Sequence, residues 1–387
     1  MLIYTLFILT VATLLYMDYA TNLKLTYKVS KVNINRLAIY FAFVLVVLFA
    51  GLRYEIGYDY PKYLAGFLFD SELRHWEPLF NFLTRVIREI NFGLDSQALF
   101  LVFSFLTITI LYQALKKYSQ HYRLSLLLYL LIPALYLNTF SVVRQGIAMV
   151  ILFYGLYYLT VKVNKRRYLL FGVLAFLFHY SSIFVVLTYV LFGRFFNRTY
   201  SWMVYTFAIG LSFALSLTHA SKYILLSLPG KFSIYGTSEM EVSVLKIVIV
   251  NLFFFFLLFQ KNQFVKTRLH RYLFNSLFLA TFLLNVFSDF IYVTRIAQYF
   301  MIAEIILLPV YIYSFKTKWM QKTMMVLLLS YYMFNFSYAI YRDEHYIGGR
   351  PHFLVPYENY LFTETKSDKQ KYQQQWIEFY QQIGLIK

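Results

Sequence analysis

Cysteine is missing from all 387 residues, which excludes a disulfide framework, a thiol nucleophile and a thiolate metal site. Charge is scarce as well. Asp, Glu, Lys and Arg make up 14% of the chain, against roughly 25% in soluble domains. Acidic residues number 18 against 36 Lys and Arg, a formal charge of +18. Apolar residues fill 60% and aromatic ones 22%, and the mean hydropathy is positive. Together these values exclude an ordinary soluble enzyme, a disordered chain and a coiled coil, and leave an all-α polytopic membrane protein. HExxH, the P-loop, GxSxG and paired His at metal spacing are absent too. With seven scattered His and no Cys, neither a metal nor a cofactor is expected.

What the chain does contain is a series of apolar runs. The first, MLIYTLFILTVATLLYM, has no basic n-region and no small-residue cleavage site, so it reads as a retained span. Others fall near 37–52, 96–115, 124–143, 146–161, 168–193, 201–220, 242–260, 272–290, 296–315 and 323–341. A crossing helix needs roughly 17–25 residues. Spanning segments must satisfy their own backbone hydrogen bonds, so helices are expected. No alternating strand pattern supports a barrel.

Charge placement predicts sidedness. Six short connections, 21–36, 116–123, 162–167, 194–200, 261–271 and 316–322, carry 20 of the 36 basic residues and no acidic residue. The positive-inside rule puts them in the cytoplasm. The remaining connections and the tail hold 15 basic and 16 acidic residues and face outward. The excess charge is thus topological, and no nucleic-acid partner is expected. The run 168–193 has basic flanks on both sides. A turn near His179-Tyr180-Ser181-Ser182 would keep both flanks inside and make twelve segments in all. One long tilted helix with a buried His is the alternative, and makes eleven. The chain reads as one integral membrane domain, 1–387, with an extracytoplasmic loop at 53–95 and an extracytoplasmic tail at 342–387. The tail ends in KQKYQQQWIEFYQQIG, an amphipathic stretch suited to a membrane surface.

The cytoplasmic loops are short and purely basic, so chemistry is expected on the outer face. Arg53, Arg144 and Arg295 lie at outer span ends, where a topogenic role is excluded. A guanidinium suits bidentate binding of phosphate or carboxylate, although interfacial arginines also snorkel to headgroups. The acidic residues on that face are Glu55, Asp59, Asp70, Glu72, Glu77, Asp289 and Glu358. Tyr54, Tyr58, Tyr60 and Tyr63 surround Asp59 and suit either an interfacial belt or sugar stacking. Glu77 precedes Pro78, where a helix cap explains it equally well. Glu304 falls near the middle of 296–315, where a carboxylate costs about 2.5–3.5 kcal/mol.

Four pieces of sequence, in order, carry a resemblance: GLRYEIGYDYPKY followed by WEPLF; NTFSVVRQGIAMVILFYGLYYL followed by KRRYLLFGVLAFLFHYSSI; DFIYVTRIAQYF; and PHFLVPYENYLF. The set resembles the EpsG-like family of exopolysaccharide polymerases, relatives of Wzy-type O-antigen and capsule polymerases. The resemblance implies a GT-C-like helical bundle with an outer-face cavity in the bacterial cytoplasmic membrane. It implies glycosyl transfer between undecaprenyl-pyrophosphate-linked oligosaccharides on the outer leaflet, the growing chain passing to the non-reducing end of a new lipid-linked unit. Membrane lipids, a flippase and a chain-length regulator are the implied partners. The matching positions are Arg53, Asp59, Tyr60, Tyr63, Glu77, Arg144, Gln145, His179 and Arg295. A departing pyrophosphate needs fixed cations, so Arg144, Arg295 and Arg53 are expected to bind it, with Tyr60, Tyr63 and Gln145 completing the substrate site. Asp59, His179 and Glu77 compete for the role of general base. A flippase or transporter of lipid-linked saccharide, or a glycan ligase, would use the same arginines.

Overall fold

The computed structural model describes residues 1–24, 34–69, 73, 76–90, 93–218, 222–223, 244–288, 290, 293–345 and 354–362. Fifteen helices longer than one turn occur among them. They are α1 (Leu2–Lys24), α2 (Ile34–Gly51), α3 (Tyr60–Leu68), α4 (Pro78–Ile90), α5 (Gln97–Tyr118), α6 (Tyr122–Leu131), α7 (Val143–Thr160) and α8 (Lys165–Phe178). After these come α9 (Ser182–Leu191), α10 (Trp202–Ser216), α11 (Val244–Phe259), α12 (Arg268–Val286), α13 (Val293–Met301), α14 (Glu304–Tyr313) and α15 (Lys318–Glu344). Extended pairing among the described residues is limited to an antiparallel bridge between Arg53 and Asn359.

The expected all-α polytopic membrane protein is what the chain forms, and each apolar run lies on helix over most of its described residues. By length and composition, four helices among the described residues can cross a bilayer: Leu2–Tyr19, Gln97–Tyr118, Val143–Thr160 and Lys318–Glu344. The bent pair Val293–Met301 and Glu304–Tyr313 makes a fifth. The other apolar helices of that series are shorter. Helix α15 leaves Trp319, Val326, Leu327, Phe334 and Tyr338 exposed, a cost in water and none in lipid.

Three runs depart from single helices, each for a local reason. The run 124–143 stops at Leu131, because Pro133 forces Ile132 into an extended conformation. A one-turn helix, Asn138–Ser141, then leads into α7. The run 168–193 breaks as the two basic flanks predicted: α8 ends at Phe178 and α9 begins at Ser182. The run 296–315 breaks between α13 and α14 with a 41° bend. Glu304 opens the second helix of the pair, where the dipole favours an acidic side chain, and so stands near the middle of the bent span, as its sequence position implied.

The chain divides into two compact units. The first comprises Met1–Gly155, Leu169–Ile183 and Val326–Lys387; the second comprises Leu156–Tyr168 and Phe184–Met325. In the first, α2 packs against α1 and α5, and α5 against α4 and α6. Its core is aromatic. Phe7 stacks on Phe49 at 3.9 Å, Phe49 on Tyr357 at 4.2 Å, and Phe80 on Phe103 at 4.4 Å between ring centroids. In the second unit α12 is the hub, packed by α10, α11, α13 and α14. Asn251 and Asn285 exchange amide hydrogen bonds of 2.8 and 2.9 Å there, and Asn285 also donates to the Ser212 hydroxyl at 2.8 Å. Three helices are thus pinned by polar groups that lipid could not satisfy.

The loop 53–95 holds α3 and α4. The described part of the tail, 354–362, is not free. The Tyr360 N–H donates to the Leu52 carbonyl at 2.8 Å, and the Tyr54 N–H to the Glu358 carbonyl at 2.9 Å. The Tyr357 hydroxyl donates to the Phe49 carbonyl at 2.8 Å. The amphipathic stretch 369–384 lies outside the described residues, as do Asp70, Glu72 and Asp289.

Candidate functional site

Three segments of the first unit converge on Glu77. It sits just before α4, with Pro78 as the first helical residue. A residue before proline is restricted to extended backbone, and the Glu77 carbonyl accepts the Asn81 N–H at 2.9 Å. Its carboxylate is 3% exposed. Oε2 lies 2.6 Å from Nη1 of Arg144, in the first turn of α7. Oε1 lies 2.8 Å from Nδ1 of His179, in the break between α8 and α9, and accepts the Tyr180 N–H at 3.2 Å.

The electrostatics explain why these residues need one another. A cation in the first turn of a helix opposes the helix dipole, and a buried carboxylate without partners would be costly. Pairing Arg144 with Glu77 removes both penalties. Burial pushes the Glu77 carboxyl up, but the His179 hydrogen bond and the Arg144 charge outweigh it and hold the group at about 2. Glu77 is therefore ionised at neutral pH.

Aromatic rings frame the guanidinium of Arg144. Its central carbon lies 5.2 Å from the Trp76 ring centroid and 5.9 Å from that of Tyr63, within cation–π range. Trp76 lies so close over Gly66 that a Cβ there would sit 2.1 Å from the indole. The Arg144 side chain keeps 16% of its surface exposed and that of His179 23%. Arg144 Nε is buried without a hydrogen-bond partner. Its Nη1 holds Glu77.

Arg53, expected to bind pyrophosphate, is 1% exposed. Its Nε donates to the Ile56 carbonyl at 3.2 Å, Nη1 to the Ala50 carbonyl, and Nη2 to the Phe140 carbonyl at 3.1 Å. The Phe100 and Phe140 rings flank it, each centroid 4.8 Å away. A guanidinium so enclosed satisfies three backbone carbonyls with its own N–H groups. Burial pulls the group down to about 10, and it stays charged at neutral pH.

Tyr60 is likewise internal. Its ring stacks on Phe100 at 4.3 Å, and its hydroxyl donates to Gln97 Oε1 at 3.2 Å. Gln97 in turn donates to the Gly51 and Arg53 carbonyls at 2.6 and 2.8 Å. Tyr60 is thus tied to α5 through Gln97 and Phe100. Tyr63 is buried, with its hydroxyl 3.4 Å from the Arg144 N–H. Gln145 is buried next in sequence to Arg144. Asp59 is half-buried at the start of α3 and makes no side-chain cap bond to it. Arg295 is half-buried on α13, which belongs to the second unit.

The turn 53–59 holds this arrangement in place. Gly57 has φ +111°, and a Cβ would sit 2.2 Å from the Phe140 carbonyl oxygen. The Tyr58 N–H donates to Ser141 Oγ at 2.9 Å. The turn is thereby fastened to 138–141, three residues before Arg144. Sequence reading missed Gln97, Phe140, Ser141 and the backbone N–H of Tyr180. None carries a signal of its own, since each acts on a segment far away in sequence.

Fold and site together define a multi-pass helical membrane protein with an Arg–Glu–His cluster where three segments meet. Residues 36–359 match the EpsG family, and the chain belongs to that family. Membership suggests an exopolysaccharide-polymerase type of activity. No curated protein and no solved structure matches the chain.

Proposed function

We propose that the protein is a membrane glycosyltransferase of the Wzy type. It extends a surface polysaccharide on the outer leaflet of the bacterial cytoplasmic membrane from undecaprenyl-pyrophosphate-linked repeat units. The observation that carries this reading is the meeting of Arg144, Glu77 and His179 at segment ends. By the positive-inside assignment, these ends belong to the outer face.

In the proposed step, a hydroxyl of the new unit's non-reducing sugar attacks C1 of the growing chain's reducing sugar. The new O–C1 bond forms as the C1–O bond to pyrophosphate breaks, and the electron pair leaves with the lipid pyrophosphate. His179 takes the hydroxyl proton. Arg144 stabilises the charge developing on the leaving group. It has an unpartnered Nε and a guanidinium geometry suited to phosphate. Arg295 remains a second candidate cation for the pyrophosphate, and Asp59 one for orienting the acceptor.

The breaks at 179–181 and 302–303 favour a second reading, a flippase or transporter, since transporters build sites from discontinuous helices. A glycan ligase would share the chemistry with a different acceptor.

Purified protein mixed with lipid-linked repeat units, without nucleotide sugar, tests the proposal. A ladder of added units that Arg144→Ala abolishes is the expected result. Units bound but never joined would sink the polymerase reading, and liposome translocation would then test the flippase.

A further inference from the structure

We propose that Glu77 is a positioning residue, whose carboxylate holds the His179 imidazole with its proton on Nδ1 and leaves Nε2 to receive the acceptor's proton. The proton-accepting role rests on the polymerase reading above. The tautomer rests on the contacts around Glu77 and on its carboxylate being ionised beside Arg144.

Glu77 receives donors on both oxygens. Arg144 Nη1 reaches Oε2 at 2.6 Å, and the Tyr180 N–H reaches Oε1 at 3.2 Å. The remaining close contact is His179 Nδ1 at 2.8 Å from Oε1. An ionised carboxylate only accepts hydrogen bonds, so Nδ1 must be the donor. A neutral imidazole that donates from Nδ1 carries its lone pair on Nε2.

Glu77 is itself unsuited to be the base. It is 3% exposed, both oxygens are engaged, and the Arg144 and His179 interactions keep it ionised. His179 is the more accessible partner, its side chain 23% exposed. Backbone restraint holds both ends of the pair. Pro78 limits the Glu77 backbone. The His179 N–H donates to Ala175 at 2.8 Å, and the Ser182 N–H to the His179 carbonyl at 3.0 Å. During transfer the proton passes from the acceptor hydroxyl to Nε2. The resulting imidazolium is stabilised by the Glu77 carboxylate, which stays ionised, and then loses the proton to water.

The test uses full-length protein with ¹⁵N-labelled histidine, the His179 resonances identified by their loss in His179→Gln. Wild type is expected to carry the proton on Nδ1, with Nε2 bare. Glu77→Gln, whose amide can donate, is expected to give mixed tautomers, and Glu77→Asp to restore the wild-type pattern in part. In the polymerisation assay, Glu77→Gln is expected to lower kcat about 10²-fold. KM for the lipid-linked unit should stay within roughly threefold, as befits a loss confined to the chemical step. A wild-type proton on Nε2 overturns the proposal, as does a tautomer unchanged in both variants. Wild-type protein that joins no units overturns the polymerase reading, and the tautomer then stands or falls on the resonances.

Discussion

Nδ1 of His179 lies 2.8 Å from Oε1 of Glu77, although 102 positions separate the two residues in the chain. Arg144, 67 positions from Glu77, closes the group from the other oxygen. A helix break supplies the His, a helix start supplies the Arg, and a proline-fixed turn supplies the Glu. Each belongs to a segment end, where side chains can converge without crossing a helix barrel.

Acid should loosen the fold through Glu77. Its folded value of about 2 lies below the ordinary 4.5. The stabilisation is therefore complete above about pH 4.5 and lost as pH falls through about 2, worth on the order of 3 kcal/mol. Melting in detergent between pH 6 and pH 3 should show wild type losing more stability than Glu77→Gln. Parallel curves for the two proteins would contradict the linkage.

Arg53 and Arg144 should separate in experiment. Arg53→Ala leaves three backbone carbonyls without their donor and should cost about 3 kcal/mol of stability. Lysine should not rescue it, since one ammonium cannot reproduce the fork. Arg144→Ala should keep the helical signal and lose chain extension. An Arg53→Ala protein that melts like wild type and fails only in activity would favour the substrate-binding reading of Arg53.

Two glycines should refuse a methyl group for different reasons. Gly57→Ala meets both a positive φ and the Phe140 carbonyl, so a loss of about 1–3 kcal/mol is expected. Gly66→Ala displaces Trp76 from beside Arg144. The second variant should therefore show a changed tryptophan emission, while the first should show mainly a lower melting midpoint. An unchanged emission spectrum in Gly66→Ala would deny the close contact.

Tyr357 should act as the fastener of the chain's late segment. Its ring stacks on Phe49 and its hydroxyl reaches the Phe49 carbonyl. Tyr357→Ala is expected to cost about 3 kcal/mol and to speed protease cleavage between 345 and 362. A cleavage rate equal to wild type would mean that the Arg53–Asn359 pairing holds the segment without the ring.

Much of the architecture is legible in local composition. The broken run at 168–193 could be read from its two basic flanks, because charge placement responds to topology. The stop at Leu131 was available in Pro133 but hidden inside a continuous apolar run. The bend before Glu304 has no such marker; its mid-run position was legible, its place at a helix start was not. Arg53 and Arg144 look alike in sequence, each at the end of a span. They differ only in what surrounds them: two rings and three carbonyls for Arg53, a carboxylate and two ring faces for Arg144.

The sequence by itself determined the helical class, the membrane setting and the family, because hydropathy, charge bias and ordered short motifs are properties of neighbouring residues. Tertiary structure decided which arginine is enclosed by backbone carbonyls and which meets a carboxylate. It also brought Glu77, readable in sequence as a general-base contender or a helix cap, between Arg144 and His179. Those outcomes depend on burial and on contacts across 67 and 102 positions, and packing alone settles distances of that kind.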